Sequence, residues 1–184
     1  MGILTGRFLG TGIATTAAGG QTAYRLVAPD RTVANLAIIA LESIRWHATE
    51  VMYNGLVSAG ALDHNVARRA RFGDEVLAVL GSNLSLGLPG IIAAQSADGR
   101  ILGISSHAFW EPKSGSITLQ VIDPLFLAGS PGTAQLRGLG TALVAAASRD
   151  MLDRGTETVY IHPLDSQAAV FWERRGFASC GGGG

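Results

Sequence analysis

The sequence predicts a single α/β domain of the mixed (α+β) kind, and three observations carry that prediction. The chain has 184 residues, 47% hydrophobic and 15% charged, which suits one buried core and is too apolar for a disordered chain. Its hydrophobic period changes from helical to strand-like near residue 90. The segments follow the order β-α-α-β-β-β-α-β-α from residue 23 onward.

The first twenty residues are rich in Gly, Ala and Thr and hold no period, so residues 1–22 are expected to form a flexible arm ahead of a domain covering 23–184. AYRLVAP (23–29) reads as the first strand, stopped by Pro29. In NLAIIALESIRWHATEVMYNG, Ile38, Leu41, Arg45, Ala48 and Met52 form one stripe at helical spacing, with Asn35 as N-cap and Gly55 near the end. A second helix covers HNVARRARFGDEVLAVLGS through Val66, Ala70, Val76, Leu77 and Leu80. GIIAAQSADGRILGISSHAF places two apolar runs around Asp98-Gly99, a hairpin dipeptide. GSITLQVID alternates Ile117, Leu119 and Val121 against Thr118, Gln120 and Ile122, which completes a meander of three antiparallel strands closed by Pro124. After an irregular connection, Leu139, Ala142, Leu143, Ala146, Ala147, Met151 and Leu152 trace a helical face that Gly155 ends. TVYIHP is a further strand. Asp165 or Ser166 then caps a last helix, SQAAVFWERRG, closed by Gly176.

Composition narrows the function. Fourteen acidic residues balance fourteen basic ones, so no general pull toward nucleic acid or an anionic membrane is expected. The one basic cluster, ARRAR (67–71), reads as a solvated helix face, or more sharply as a patch for an acidic acceptor or RNA. Cys180 is the only cysteine and the four histidines are scattered, so neither a disulfide nor a metal site is expected. The N-terminus lacks a charged n-region and a long apolar core, and no segment approaches ~20 continuous apolar residues. The expectation is a cytoplasmic protein.

QLRGLGTALV (135–144) joins a glycine-containing turn to a helix. The first N–H groups of a helix have no partner within it, the dipole adds positive charge there, and glycine lets an anion approach closely. Arg137 can add a charge-assisted contact. A dinucleotide fingerprint would need glycine where Leu143 stands, and a P-loop would need a lysine, but the sole lysine is Lys113. On Gly138 and Gly140 alone, a plain tight turn is the better reading.

The wider pattern shifts that balance. QLRGLGTALV resembles the Gln/Arg-x-x-Gly-x-Gly/Ala signature of the GCN5-related N-acetyltransferase family through Gln135, Gly138 and Gly140. DSQAAVFWERRGF resembles that family's second motif through Asp165, Ala168, Trp172, Gly176 and Phe177, at the family's relative spacing. The resemblance covers residues 24 to about 177 and implies a central, mostly antiparallel sheet flanked by helices.

It also implies transfer of an acetyl group from acetyl-CoA to an amine: a small molecule, a protein amine or an aminoacyl-tRNA. The pyrophosphate would lie on the turn formed by Gln135, Leu136, Arg137, Gly138, Leu139, Gly140 and Thr141. The pantetheine arm would lie between the strands holding Ile117–Asp123 and Val159–His162, where Val121 and Ile122 present backbone to the thioester. Asp123, at that strand's end, is the first choice as general base, and its other reading is a cap on the turn at Pro124. Glu111 and His107 read as solvated edge residues. The returning proton would come from solvent or from another residue such as Tyr160, and His162, on the same strand face, reads either as lining the acceptor pocket or as a structural strand-end histidine. Trp172 stands where the family commonly has a tyrosine acid, and its indole N–H supplies no acid at neutral pH, so it reads as core or pocket wall. Two further departures are the long connection over 125–136, which either covers the cofactor or contacts a second subunit in a homodimer, and the short tail after Phe177. The reading from another class is a non-catalytic acyl-CoA-binding module.

Overall fold

The computed structural model describes residues 2–15, 19–60, 90–111, 113–122, 138–163 and 166–178. Its elements are β1 (Gly6–Thr15), β2 (Gln21–Pro29), α1 (Val33–Ser58), β3 (Gly90–Ser96), β4 (Ile101–Glu111), β5 (Ser114–Ile122), α2 (Leu139–Asp153), β6 (Thr158–Ile161) and α3 (Ser166–Glu173). The six strands form one sheet in sequence order, β1-β2-β3-β4-β5-β6. Every neighbouring pair is antiparallel except β5 and β6, which are parallel and joined through α2. The expected mixed fold class and the three-strand meander are both present.

Period-two alternation gives the sheet two apolar faces. Tyr24, Leu26, Ile92, Ala94, Leu102 and Ile117 turn to one face and pack on Leu139, Leu143, Ala147 and Met151 of α2 and Trp172 of α3. Val27, Ala93, Ile101 and Ile104 turn to the other and pack on Ile39 and Trp46 of α1 and on Leu4. Both helices on the first face end as their sequence suggests. At α2, Thr156 N–H donates to Met151 C=O and Gly155 N–H to Leu152 C=O, a Schellman closure with Gly155 at φ 87°.

The amino-terminal region departs from expectation. Residues 6–15, expected within a flexible arm, form β1, paired with β2 from Gly6↔Pro29 to Thr15↔Gln21. Ahead of it, Gln95 is fully buried and holds the chain: its Oε1 accepts from Leu4 N–H at 3.0 Å, and its Nε2 donates to Gly2 C=O at 3.0 Å. The observed order therefore opens with an additional strand. The second helix expected over 64–82 lies outside the described residues.

Two details of α1 also differ. Thr32 caps it, since its hydroxyl accepts from Asn35 N–H at 3.2 Å. Asn35 is instead a buried latch whose side chain donates to Thr5 C=O at 2.7 Å and Asp30 C=O at 2.8 Å. The buried stripe runs through Asn35, Ile39, Glu42, Ser43 and Trp46, while Leu41 and Met52 of the expected stripe are exposed. Polar side chains with partners occupy that face: Ser43 bonds Ile39 C=O at 2.9 Å and Glu42 pairs with Arg45 at 2.6 Å. A purely apolar pattern misses such a face. Among the described residues, no helix is long and apolar enough to cross a membrane.

Candidate active site

Pairing between β5 and β6 is short. It runs from Ser114↔Thr158 to Ile117↔Ile161 and stops, while β5 continues to Ile122 against β4 alone. Where it stops, β5 carries a bulge: Leu119 faces Ser106 and Ile117 faces His107, so Thr118 is extra. The Thr118 hydroxyl donates to Ser106 C=O at 3.2 Å. The backbone of β5 from Thr118 to Ile122 thus has no β6 residue paired on that side, and this stretch includes Val121 and Ile122.

The start of α2 comes to the same level. Met151 packs over Gly115, near the beginning of β5, because a Cβ on that glycine would stand 2.4 Å from the Met151 terminal methyl. The twelve residues back to Leu139 span about 18 Å at 1.5 Å per residue. Five residues of strand beyond Gly115 span roughly 17 Å. The first turn of α2 therefore lies near the part of β5 that β6 leaves unpaired.

Gly138 makes that turn. It is the N-cap of α2 at φ 88° and ψ −25°, a left-handed conformation that favours glycine. Among the described residues no side chain caps the helix and no atom stands within 4 Å of where a Gly138 Cβ would point, and the first turn holds no acid. Leu139 is buried, Gly140 half-buried and Thr141 exposed. These features suit an anion on the helix amides.

Other expected site residues are placed as follows. Tyr160 sits on the sheet face opposite α2, 41% exposed, and stacks on Trp110 with ring centroids 6.2 Å apart. Val159 and Ile161 turn the other way, into the α2 core. His162 follows the end of β6 and is exposed. Trp172 is buried, edge-on to Phe171 at 5.2 Å and to Phe177 at 5.1 Å. Asp123, Gln135, Leu136, Arg137, Asp165 and the 67–71 arginines lie outside the described residues.

Two polar groupings were not anticipated. Arg175, just past α3, donates from Nη2 to the Thr141 hydroxyl and from Nη1 to Phe171 C=O at 2.5 Å. Its position two residues past the end of α3 reads in sequence as an ordinary helix-end cation, and nothing local points to α2. The second grouping is buried between the sheet and α2. His107, expected at a solvated edge, is wholly buried and its Nε2 lies 2.8 Å from Asp150 Oδ2. Asp150 also bonds Arg7 of β1 and pairs with Arg154 Nε at 3.2 Å. Gly90 faces the imidazole so closely that a Cβ there would stand 2.0 Å from Nε2.

Burial pushes the His107 pKa below its ordinary 6.5, opposed by the Asp150 hydrogen bond and charge and reinforced by the Arg154 and Arg7 charges. The unfolded chain therefore takes up the proton first as pH falls. The His107 contribution to stability is complete above pH 6.5 and is lost as pH drops below it. Melting temperature should fall through that window, and His107→Asn should flatten the fall. An equal slope in the variant would assign the loss to other groups.

No protein-family model matches the sequence, and no curated protein does. Solved structures do. A Pyrococcus furiosus protein described as an acetyl transferase superposes with TM-score 0.53 at 16% identity, over 86% of this chain and 95% of its own. A Clostridium acetobutylicum protein described as an acetyltransferase, solved with acetyl-CoA, superposes with TM-score 0.50 at 14% identity, over 84% of this chain and 88% of its own. The six-stranded sheet with its single parallel pair, the helices on both faces and these superpositions together establish that the chain has the GCN5-related N-acetyltransferase fold.

Proposed function

We propose that this protein transfers an acetyl group from acetyl-CoA to a primary amine, with direct attack of the amine in a ternary complex. The observation that carries the reading is the left-handed Gly138 turn, open among the described residues, beside the stretch of β5 that β6 leaves unpaired. The residues present fit the donor. The start of α2, at the positive end of its helix dipole, suits a diphosphate, and the β5 backbone from Thr118 to Ile122 offers donors and acceptors to an extended amide-bearing arm, as an added strand would. A backbone amide at Val121, Ile122 or Asp123 polarises the acyl carbonyl as an oxyanion hole does.

Acetyl-CoA supplies the activated acyl group as a thioester. The protein must remove a proton from the amine, and Asp123, directly after β5, is the proposed base. Tyr160 is the proposed acid, with His162 beside the acceptor. Trp172, buried among aromatic rings, keeps the role of core residue, as its contacts favour. The protein acting on a free amine acceptor in the cytoplasm is part of the same proposal.

Calorimetry with acetyl-CoA, followed by a CoA-release assay across small amines, peptides and aminoacyl-tRNA, tests the reading. Binding together with release on one acceptor class supports it. Tight binding without turnover on any acceptor leaves an acyl-CoA-binding module, which the buried indole at Trp172 would favour. No binding overturns the donor assignment. Asp123→Asn should lower turnover by about 100-fold or more, in the range of general-base catalysis, with donor affinity retained. Near-normal turnover across pH removes Asp123 as the base.

A further inference from the structure

Arg25 is a cation set within the sheet. It lies on β2, opposite Thr11 of β1 and Gln95 of β3. By alternation it shares with Ala23 and Val27 the face turned away from α2. Its guanidinium is half-buried and held from one side. Nη2 donates to Leu4 C=O at 2.6 Å and to Gln95 Oε1 at 2.8 Å, which uses both hydrogens of that nitrogen. Gln95 is itself fixed, because its Oε1 also accepts from Leu4 N–H and its Nε2 donates to Gly2 C=O and to Gly99 C=O. Both partners of Arg25 are neutral, and among the described residues no carboxylate pairs with it. The N–H groups of Nη1 and Nε have no bond among the described residues.

Beside this guanidinium the sheet face is hollow. A cleft of about 540 Å³, within the size range of small-molecule sites, is lined in part by Thr11, Ile13, Ala23, Arg25, Gln95 and Ala97. Thr11, Arg25 and Gln95 make one row across three strands, and Ile13 pairs with Ala23 in a neighbouring row. One side of the cleft therefore offers a cation and a hydroxyl, and the other offers methyl and methylene groups. No acidic residue belongs to the lining.

We propose that this cleft binds a small carboxylate with a short apolar chain. The carboxylate accepts from Nη1 and Nε of Arg25, and the chain lies on Ile13, Ala23 and Ala97. A half-buried charge is screened less than one in bulk water, so an anion beside it gains more than it would on an open surface. Gln95 and Leu4 hold the guanidinium in place before the ligand arrives, so little side-chain entropy is lost on binding. Since the same guanidinium holds Leu4 C=O, an occupied cleft also secures the segment ahead of β1. The cleft and α2 lie on opposite faces of the sheet, so this site is independent of the acetyl-CoA reading.

Calorimetry on the full chain with 3-methylbutanoate, its neutral isostere 3-methylbutanamide and inorganic phosphate tests the site. The wild type should bind the carboxylate about tenfold or more tightly than the amide, and more tightly than phosphate, which has charge but no chain. Arg25→Gln should bind carboxylate and amide alike. Ala23→Phe fills the cleft without removing the bond to Leu4, so it keeps the test decisive if Arg25→Gln fails to fold. It should bind neither ligand while its melting temperature stays near that of the wild type. Equal affinity for carboxylate and amide in the wild type, no binding of the carboxylate, or binding that persists in Ala23→Phe would overturn the site. Phosphate binding as tight as that of 3-methylbutanoate would overturn the apolar part of the ligand assignment.

Discussion

Gly138→Glu is expected to abolish measurable acetyl-CoA binding while leaving the protein folded. Two effects act at one atom. The residue sits at φ 88°, where any side chain costs about 1–2 kcal/mol of backbone strain. The new carboxylate also projects into space that holds no atom of the described residues within 4 Å, where the diphosphate would lie, and would repel it. A loss of roughly 100-fold in affinity corresponds to about 2.7 kcal/mol. Gly138→Ala separates them, because it keeps the strain and omits the charge. Calorimetry should rank wild type first, the alanine variant second and the glutamate variant last. Unchanged affinity in Gly138→Glu would sink the turn as the donor site.

Asp150→Ala is expected to lower the melting temperature by roughly 6–12 °C, from a loss of about 3 kcal/mol in a chain of this size. The carboxylate is 2% exposed and binds three groups, so its removal leaves His107 buried without a partner at Nε2. Among the described residues His107 Nδ1 already has none. Arg7 and Arg154, at 51% and 55% exposure, turn to water and soften the penalty, which keeps it below that of a fully buried ion pair. Asp150→Asn preserves the shape and one acceptor, so it should cost less than half as much. A shift under about 2 °C in Asp150→Ala, below the cost of one unsatisfied buried group, would show that the cluster adds little. Hydrogen exchange should also quicken in β1, since Arg7 is a side chain that ties this strand to α2.

The parts of the fold that are legible in sequence are those set by neighbours along the chain. Asp98-Gly99 marks the β3–β4 hairpin, Gly155 and Gly176 close their helices, and alternation at Ile117–Ile122 gives β5. β1 is illegible for the opposite reason. Gly6, Gly10 and Gly12 weaken its strand propensity, and its identity comes from pairing with β2 and from Arg7 reaching Asp150. The α1 stripe misleads because Asn35, Glu42 and Ser43 are buried with satisfied side chains, which hydrophobic periodicity counts as solvent-facing. His107 is likewise misplaced, since only the packing of α2 over β4 decides its burial. In the candidate site the glycine turn is legible, because a left-handed residue at a helix start demands glycine. Arg175 is not, because its meaning depends on Thr141, 34 residues earlier and on another helix.

The bond between Arg7 and Asp150 spans 143 residues. A ribosome adding ~5–20 residues per second leaves roughly 7–30 seconds between the synthesis of these two partners. During that interval β1 can pair with β2, because the connection between them is short and local. The carboxylate that fastens it to the opposite layer does not yet exist. The amino-terminal strand is therefore the first part of the sheet to be made and among the last to be secured, so the nascent chain carries a half-anchored edge until α2 emerges.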